Sequence, residues 1–190
     1  MRRLTYYITI SADGMYADPD GGLSHFEPAE DEHRYANRLV DDAGDIVMGR
    51  VMYDVMEYWD DLDLDDPKTS DVEREFATFW RETPKHVASR DRPALRANAT
   101  HIEGDVAEAV RAMKAGEGSD IMLGCGADLF AQLSDAGLID EYRFLVAPVA
   151  LGRGKALFAK LAAPLDLRLT NATTTSAGGV LLEYVPTADR

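Results

Sequence analysis

A single cysteine, Cys125, is all the sulfur chemistry of its kind that this 190-residue chain has. One cysteine excludes an intrachain disulfide and a cysteine-based zinc site, and it fits a reducing, cytoplasmic setting. Basic residues are also scarce. Lys and Arg number 20 against 34 Asp and Glu, for a formal net charge of −14. No Lys/Arg cluster offsets that balance, so nucleic acid is not an expected partner. Long apolar runs are missing too. The opening MRRLTYYITISADG has two arginines and then only a short apolar run broken by Tyr and Thr. It reads as a first strand, not a leader. No run reaches the length of a membrane span, so no membrane partner is expected.

What remains is the composition of one globular domain over 1–190, 46% apolar and 28% charged. Leu4 to Ile10 alternates as a strand. Ser11-Ala12-Asp13-Gly14 and Asp18-Pro19-Asp20-Gly21-Gly22 are turn signals, so 11–27 is expected to be a long loop. From Pro28 to Ala43 the period is helical, with Glu30, Asp31 and Glu32 at the positive end of the dipole. Asp45–Met48 is a short buried strand, followed by Gly49-Arg50 and a helix over Val51–Met56. The acidic segment 60–72 lacks the glycine and terminal Glu of an EF-hand, and no metal site is expected. Glu73–Arg81 reads as a helix, Pro84–Ala88 and Thr100–Glu103 as strands, and Asp105 as the cap of a helix running to about Lys114.

The stretch from Ile121 to Phe158 organises the rest. A buried strand, Ile121-Met122-Leu123, meets Gly124-Cys125-Gly126. A helix carrying Leu129, Phe130 and Leu133 follows and is stopped by Gly137. A strand over Tyr142–Val149 comes next. Leu165–Thr175 and Val180–Val185 flank Ser176-Ala177-Gly178-Gly179 as a hairpin. Strands alternating with helices, then strands alone, predict an α/β fold with a largely parallel sheet and an antiparallel edge.

Three strand ends carry candidate chemistry: Gly49-Arg50, Ser89-Arg90 and Gly124-Cys125-Gly126. Ligands of open α/β sheets bind beyond the carboxyl ends of the strands. A glycine turn opening a helix offers N–H groups to phosphate, and arginine forks with a hydroxyl suit a further phosphate. Together they point to a phosphorylated dinucleotide, NADPH over NADH. Taken singly, a glycine turn is equally a tight βα connection, and an arginine a surface charge. The Rossmann fingerprint is incomplete, because its third glycine is replaced by Leu129.

The same residues, in order, resemble the dihydrofolate reductase-like superfamily, closest to the C-terminal reductase domain of the riboflavin-pathway deaminase–reductase. The matching elements are Ser11-Ala12-Asp13-Gly14, Met48-Gly49-Arg50-Val51-Met52-Tyr53, Lys85 to Arg90, Leu123 to Phe130, Gly137-Leu138-Ile139-Asp140-Glu141, Pro148-Val149 and Gly152-Arg153-Gly154. They span nearly the whole chain. The resemblance implies a three-layer α/β/α fold and a homodimer. It implies NADPH held by Gly49, Arg50, Ser89, Arg90, Gly124, Cys125, Gly126 and Leu129, with Ala12 near the nicotinamide and a cis peptide at the paired glycines. It also implies hydride transfer to a pterin- or pyrimidine-like small molecule. For the accompanying proton, the first helix offers Glu32, with Asp31 beside it. His25 and Phe26 are placed at the substrate. Two positions depart from the family pattern: Met52 stands for a Thr and Cys125 for the second glycine. They motivate an alternative, a non-catalytic nucleotide-binding or regulatory protein on the same fold.

Overall fold

The computed structural model describes residues 1–96 and 98–187. The first strand, β1 (Leu4–Ser11), alternates as its sequence predicts. Leu4, Tyr6, Ile8 and Ile10 enter one core, while Tyr7 faces the other way and packs its ring 5.7 Å from that of Tyr35. The loop expected over 11–27 contains a short strand, β2 (Met15–Ala17). Helix α1 (Glu30–Asp41) begins two residues after Pro28. Ala29 is still extended, and its N–H is taken by the Glu32 carboxylate at 2.9 Å.

β3 (Asp45–Gly49) leads directly into α2 (Arg50–Met56) and a single-turn helix, α3 (Tyr58–Asp61). The acidic segment that follows closes on itself through Asp63 and Asp66, which accept from the N–H groups of Asp65 and Lys68. Helix α4 (Asp71–Glu82) starts earlier than its apolar period suggests, because Ser70 and Glu73 form a reciprocal cap. β4 (Lys85–Ala88), β5 (Ala99–Ile102) and α5 (Val106–Ala115) come next, α5 capped by Asp105 as expected. The organising stretch becomes β6 (Ile121–Gly124), α6 (Ala127–Asp135), β7 (Glu141–Ala147), a two-residue strand β8 (Lys155–Ala156) and a 3-10 turn over Leu157–Lys160. β7 stops before Pro148, which has no N–H for the ladder. The hairpin is β9 (Leu167–Thr174) and β10 (Val180–Pro186).

Eight strands form one sheet in the order β5-β4-β3-β6-β1-β7-β10-β9, and β2 pairs with β8 apart from it. The six strands from β5 to β7 are parallel, and the hairpin adds the antiparallel edge. Period-two alternation sends Val47 of β3 to the core beneath α5 and α6, with Leu123, Val110 and Phe130. Its neighbours Ile46 and Met48 go to the opposite core, with Val40, Phe76 and Trp80 of α1 and α4. The sheet is therefore sandwiched between α1/α2/α4 and α5/α6, the three-layer α/β/α arrangement expected. No described peptide bond is cis, so the cis link implied at Gly124–Cys125 is not present.

Candidate functional site

The register of the sheet brings the three strand ends together. Gly49 lies opposite Ala88, the residue before Ser89, and Met48 lies opposite Gly124. Arg50 and Arg90 thus leave adjacent parallel strands on one edge. Along that edge runs a cleft of about 1400 Å³, lined by Gly49, Arg50, Ser89, Arg90, Gly124, Gly126 and Leu129 of the predicted cofactor set.

The helices that open here differ in one physical respect. α5 is capped by its own Asp105, whose carboxylate accepts from Ala107 and Glu108 at 2.7 and 3.1 Å. α6 and α2 start from Gly126 and Gly49 with no side-chain cap. The nine-residue α6 therefore presents its first N–H groups to the cleft without a side-chain acceptor. The glycines themselves serve packing. A side chain at Gly126 would meet the Tyr16 hydroxyl at 3.0 Å, and one at Gly49 would meet the Cβ of Cys125 at 3.5 Å. The bare backbone that suggested phosphate approach thus also makes room for Tyr16 and Cys125.

Charge along the cleft departs from that of the whole molecule. Arg50, Arg90, Arg92 and Lys155 line it against Glu103, Asp105 and Asp128, four cations to three carboxylates, where the chain has 20 to 34. Arg50 is held by Asp54 one turn on, at 2.6 Å. Arg90 and Lys155 form no ion pair among the described residues. Behind Ser89, His101 points Nε2 at its carbonyl at 3.0 Å. A carbonyl only accepts, so Nε2 carries a proton in this contact, and Nδ1 is buried without a partner among the described residues.

Several predicted residues lie elsewhere. Cys125 is fully buried beneath the cleft. Its carbonyl accepts from the Tyr6 hydroxyl at 2.9 Å, and burial pushes its thiol well up, so it is neither a cleft contact nor a nucleophile. Ala12 does not line the cleft. Its N–H is tied to the Val149 carbonyl at 2.7 Å, while Asp13 accepts from Leu151 and Gly152. His25 is exposed outside the cleft, whereas Phe26 lines it.

Glu32 and Asp31 also fall outside the lining. Glu32 is buried, accepting from Ala29 N–H and, at 2.6 Å, from the Thr175 hydroxyl. Asp31 accepts from the hydroxyl and N–H of Ser176. Both carboxylates fasten α1 to the β9–β10 turn. Tyr7, Thr9, Tyr16, His101 and Lys155 line the cleft and were not singled out from sequence. Tyr7 and Thr9 were within reach of it: the alternation that buries Tyr6 and Ile8 turns them to the other face.

The RibD C-terminal domain family matches residues 2–181. The uncharacterized protein YyaP of Bacillus subtilis (strain 168) is 30% identical over 96% of this chain and 94% of its own length. Among solved structures, a chain from Shewanella sp. PV-4 assigned to riboflavin biosynthesis superposes with a TM-score of 0.75 at 19% identity, covering 98% of this chain and 99% of that one. The diaminohydroxyphosphoribosylaminopyrimidine deaminase/5-amino-6-(5-phosphoribosylamino)uracil reductase of Thermotoga maritima gives 0.67 at 14% identity, over 98% of this chain and 57% of that one. At these identities the structural likeness speaks for the fold. The match over almost the whole length carries the assignment, and the chain belongs to the RibD C-terminal domain family.

Proposed function

We propose that this protein is an NADPH-dependent reductase that passes a hydride to a pterin- or pyrimidine-like small molecule. The observation that carries it is the meeting of the uncapped α6 with Ser89 and the unpaired Arg90 along one cleft. NADPH would supply the hydride. The N–H groups of α6 suit its diphosphate, and Arg90 with the Ser89 hydroxyl suits the additional phosphate that separates NADPH from NADH. Tyr16 packs over the start of α6 and would have to give way to the diphosphate or lie against it. The closest family activity is reduction of 5-amino-6-(5-phosphoribosylamino)uracil.

Titration of NADPH and NADH, followed by nicotinamide fluorescence, tests the reading. Tighter binding of NADPH is the expected result. Absence of binding at millimolar NADPH would overturn it. A second reading, a nucleotide-binding protein without turnover, is favoured by one feature. The wall formed by β1, α1, α2 and α4 supplies no carboxylate or imidazole to deliver a proton. NADPH that binds but is not consumed across pterins, aminouracils and aldehydes would select it.

A further inference from the structure

The cleft is larger than a single ligand requires. Pockets for one small molecule commonly run to roughly 300–1000 Å³, against about 1400 Å³ here. It also has two chemically distinct parts. The strand-end part holds the uncapped helix start and all three of the cleft's carboxylates, Glu103, Asp105 and Asp128. The other part lies between β1, α1, α2 and α4, under the loop from Tyr16 to Phe26. None of its lining residues is Asp, Glu, His or Lys. Phe76, Trp80, Met52, Met56, Val40 and Phe26 make the walls, with Tyr7 and Thr9 as the polar groups of β1.

Charged neighbours of this lobe are committed elsewhere. Glu32 serves Ala29 and Thr175. Asp54 holds Arg50. His33 lies against the ring of Phe76 at 5.6 Å and outside the lining. Only Lys155, exposed near the would-be side chain of Gly21, stands at the mouth. Burial pushes the Tyr7 phenol up to about 12, so it meets a ligand as a neutral hydroxyl. An ionised group carried into such walls loses its hydration and meets no free counter-charge, because Arg50 at the start of α2 is held by Asp54 and Lys85, over the Trp80 ring, donates to the Trp80 and Thr83 carbonyls, whereas a flat ring gains aromatic contact on several sides.

We propose that the apolar lobe takes an uncharged, planar heteroaromatic compound, held by ring contacts and neutral hydroxyls, and that it excludes charged versions of the same ring, phosphorylated ones included. This rests on the reductase reading for the assignment of the strand-end part to the nucleotide, and it specifies the class of the second ligand.

Isatin, an uncharged bicyclic ketone, and isatin-5-sulfonate, the same ring with a permanent anion, provide a matched test by calorimetric titration. Each is titrated into the protein alone and into the protein saturated with NADPH. Isatin is expected to bind at least tenfold more tightly than the sulfonate. Equal or tighter binding of the sulfonate would overturn the proposal and give the mouth cation Lys155 the leading role. Failure of both probes would overturn it as well. Failure of NADPH alone would count against the reductase reading, and the isatin comparison in the free protein would still decide the character of the lobe. Val55→Asp locates the site. Val55 is 47% exposed at the rim on α2, so the variant is expected to fold. It should weaken isatin severalfold and leave NADPH unchanged, and unchanged isatin affinity would overturn the placement.

Discussion

The two ends of the parallel sheet are built from opposite materials. At the amino-terminal end, charges are closed into clamps. Arg2 reaches Asp45 at 2.5 Å, Arg3 joins Asp120 and Glu141 at 2.6 Å each, and Asp45 also faces His86 at 2.7 Å. Asp140 receives the Leu4 N–H at 2.7 Å and the Lys114 ammonium at 2.5 Å. At the carboxyl end the same strands finish in glycine, serine and arginine, with two helix starts uncapped and two cations unpaired among the described residues. One end closes its charges on one another, and the other leaves two cations and two helix starts without a side-chain partner among the described residues. This division of labour recasts the Gly137-to-Glu141 element. Its most sequence-conspicuous acids, Asp140 and Glu141, belong to the clamped end and hold β1, α5 and β7 in register.

The clamped end should therefore be the one that breaks the fold. Asp140→Ala removes the acceptor of the Leu4 N–H and leaves the largely buried Lys114 ammonium with the Leu138 carbonyl as its remaining partner. Because Asp140 is itself partly open to water, the expected loss is about 2–3 kcal/mol, below that of a fully buried pair. Urea unfolding measures it. NADPH affinity of the folded fraction should not change, and a loss well under 1 kcal/mol would make this contact an ordinary surface pair.

At the open end the expectation reverses. Arg90→Ala should leave the unfolding midpoint almost where it was, because the side chain is exposed and makes no ion pair among the described residues. NADPH binding should weaken about tenfold, equivalent to about 1.4 kcal/mol, while NADH binding stays within about twofold. Equal losses for both nucleotides would place Arg90 on a phosphate they share.

This contrast also explains what sequence could and could not show. Strand and helix order was legible because β1 alternates, β3 is a short apolar run, and Gly137 and Asp105 mark a helix stop and a helix start. The grouping of three strand ends along one cleft was legible because glycine and arginine at a strand end stand out within one short segment. β2 was missed because three residues pairing with a distant two-residue partner, β8, are too short to show a period of their own. The inward turn of Cys125 was not legible because neighbouring residues of a turn can face opposite ways: Gly124 and Gly126 line the cleft and Cys125 goes under it. Acids on the first turn of α1 carry the same local signature whether they serve a ligand, the helix dipole or a distant turn. Their partners Thr175 and Ser176 lie more than 140 positions away, beyond the reach of any local pattern.

Those acids give the finest test, because they lie toward the open end and yet are already engaged. Glu32→Gln keeps an oxygen able to accept one of its two hydrogen bonds, so it should cost about 1 kcal/mol of stability. Turnover per folded molecule, on any substrate that supports it, should stay within about twofold. A loss of roughly hundredfold or more would make Glu32 the proton source despite its position. Asp31→Asn should do less. The Ser176 hydroxyl, and then its N–H, hold the Asp31 carboxyl below the usual carboxylate range. A carboxyl with a lowered folded-state value contributes stability above its ordinary range and loses it as pH falls through the lowered value. Asp31→Asn should therefore make the acid limb of the stability–pH curve slightly shallower and leave stability near neutral pH a little lower. NADPH affinity should be the same as in the parent protein. Weakened nucleotide binding in the Asp31→Asn protein, together with an unaltered acid limb, would move Asp31 from the hairpin tie to the cleft.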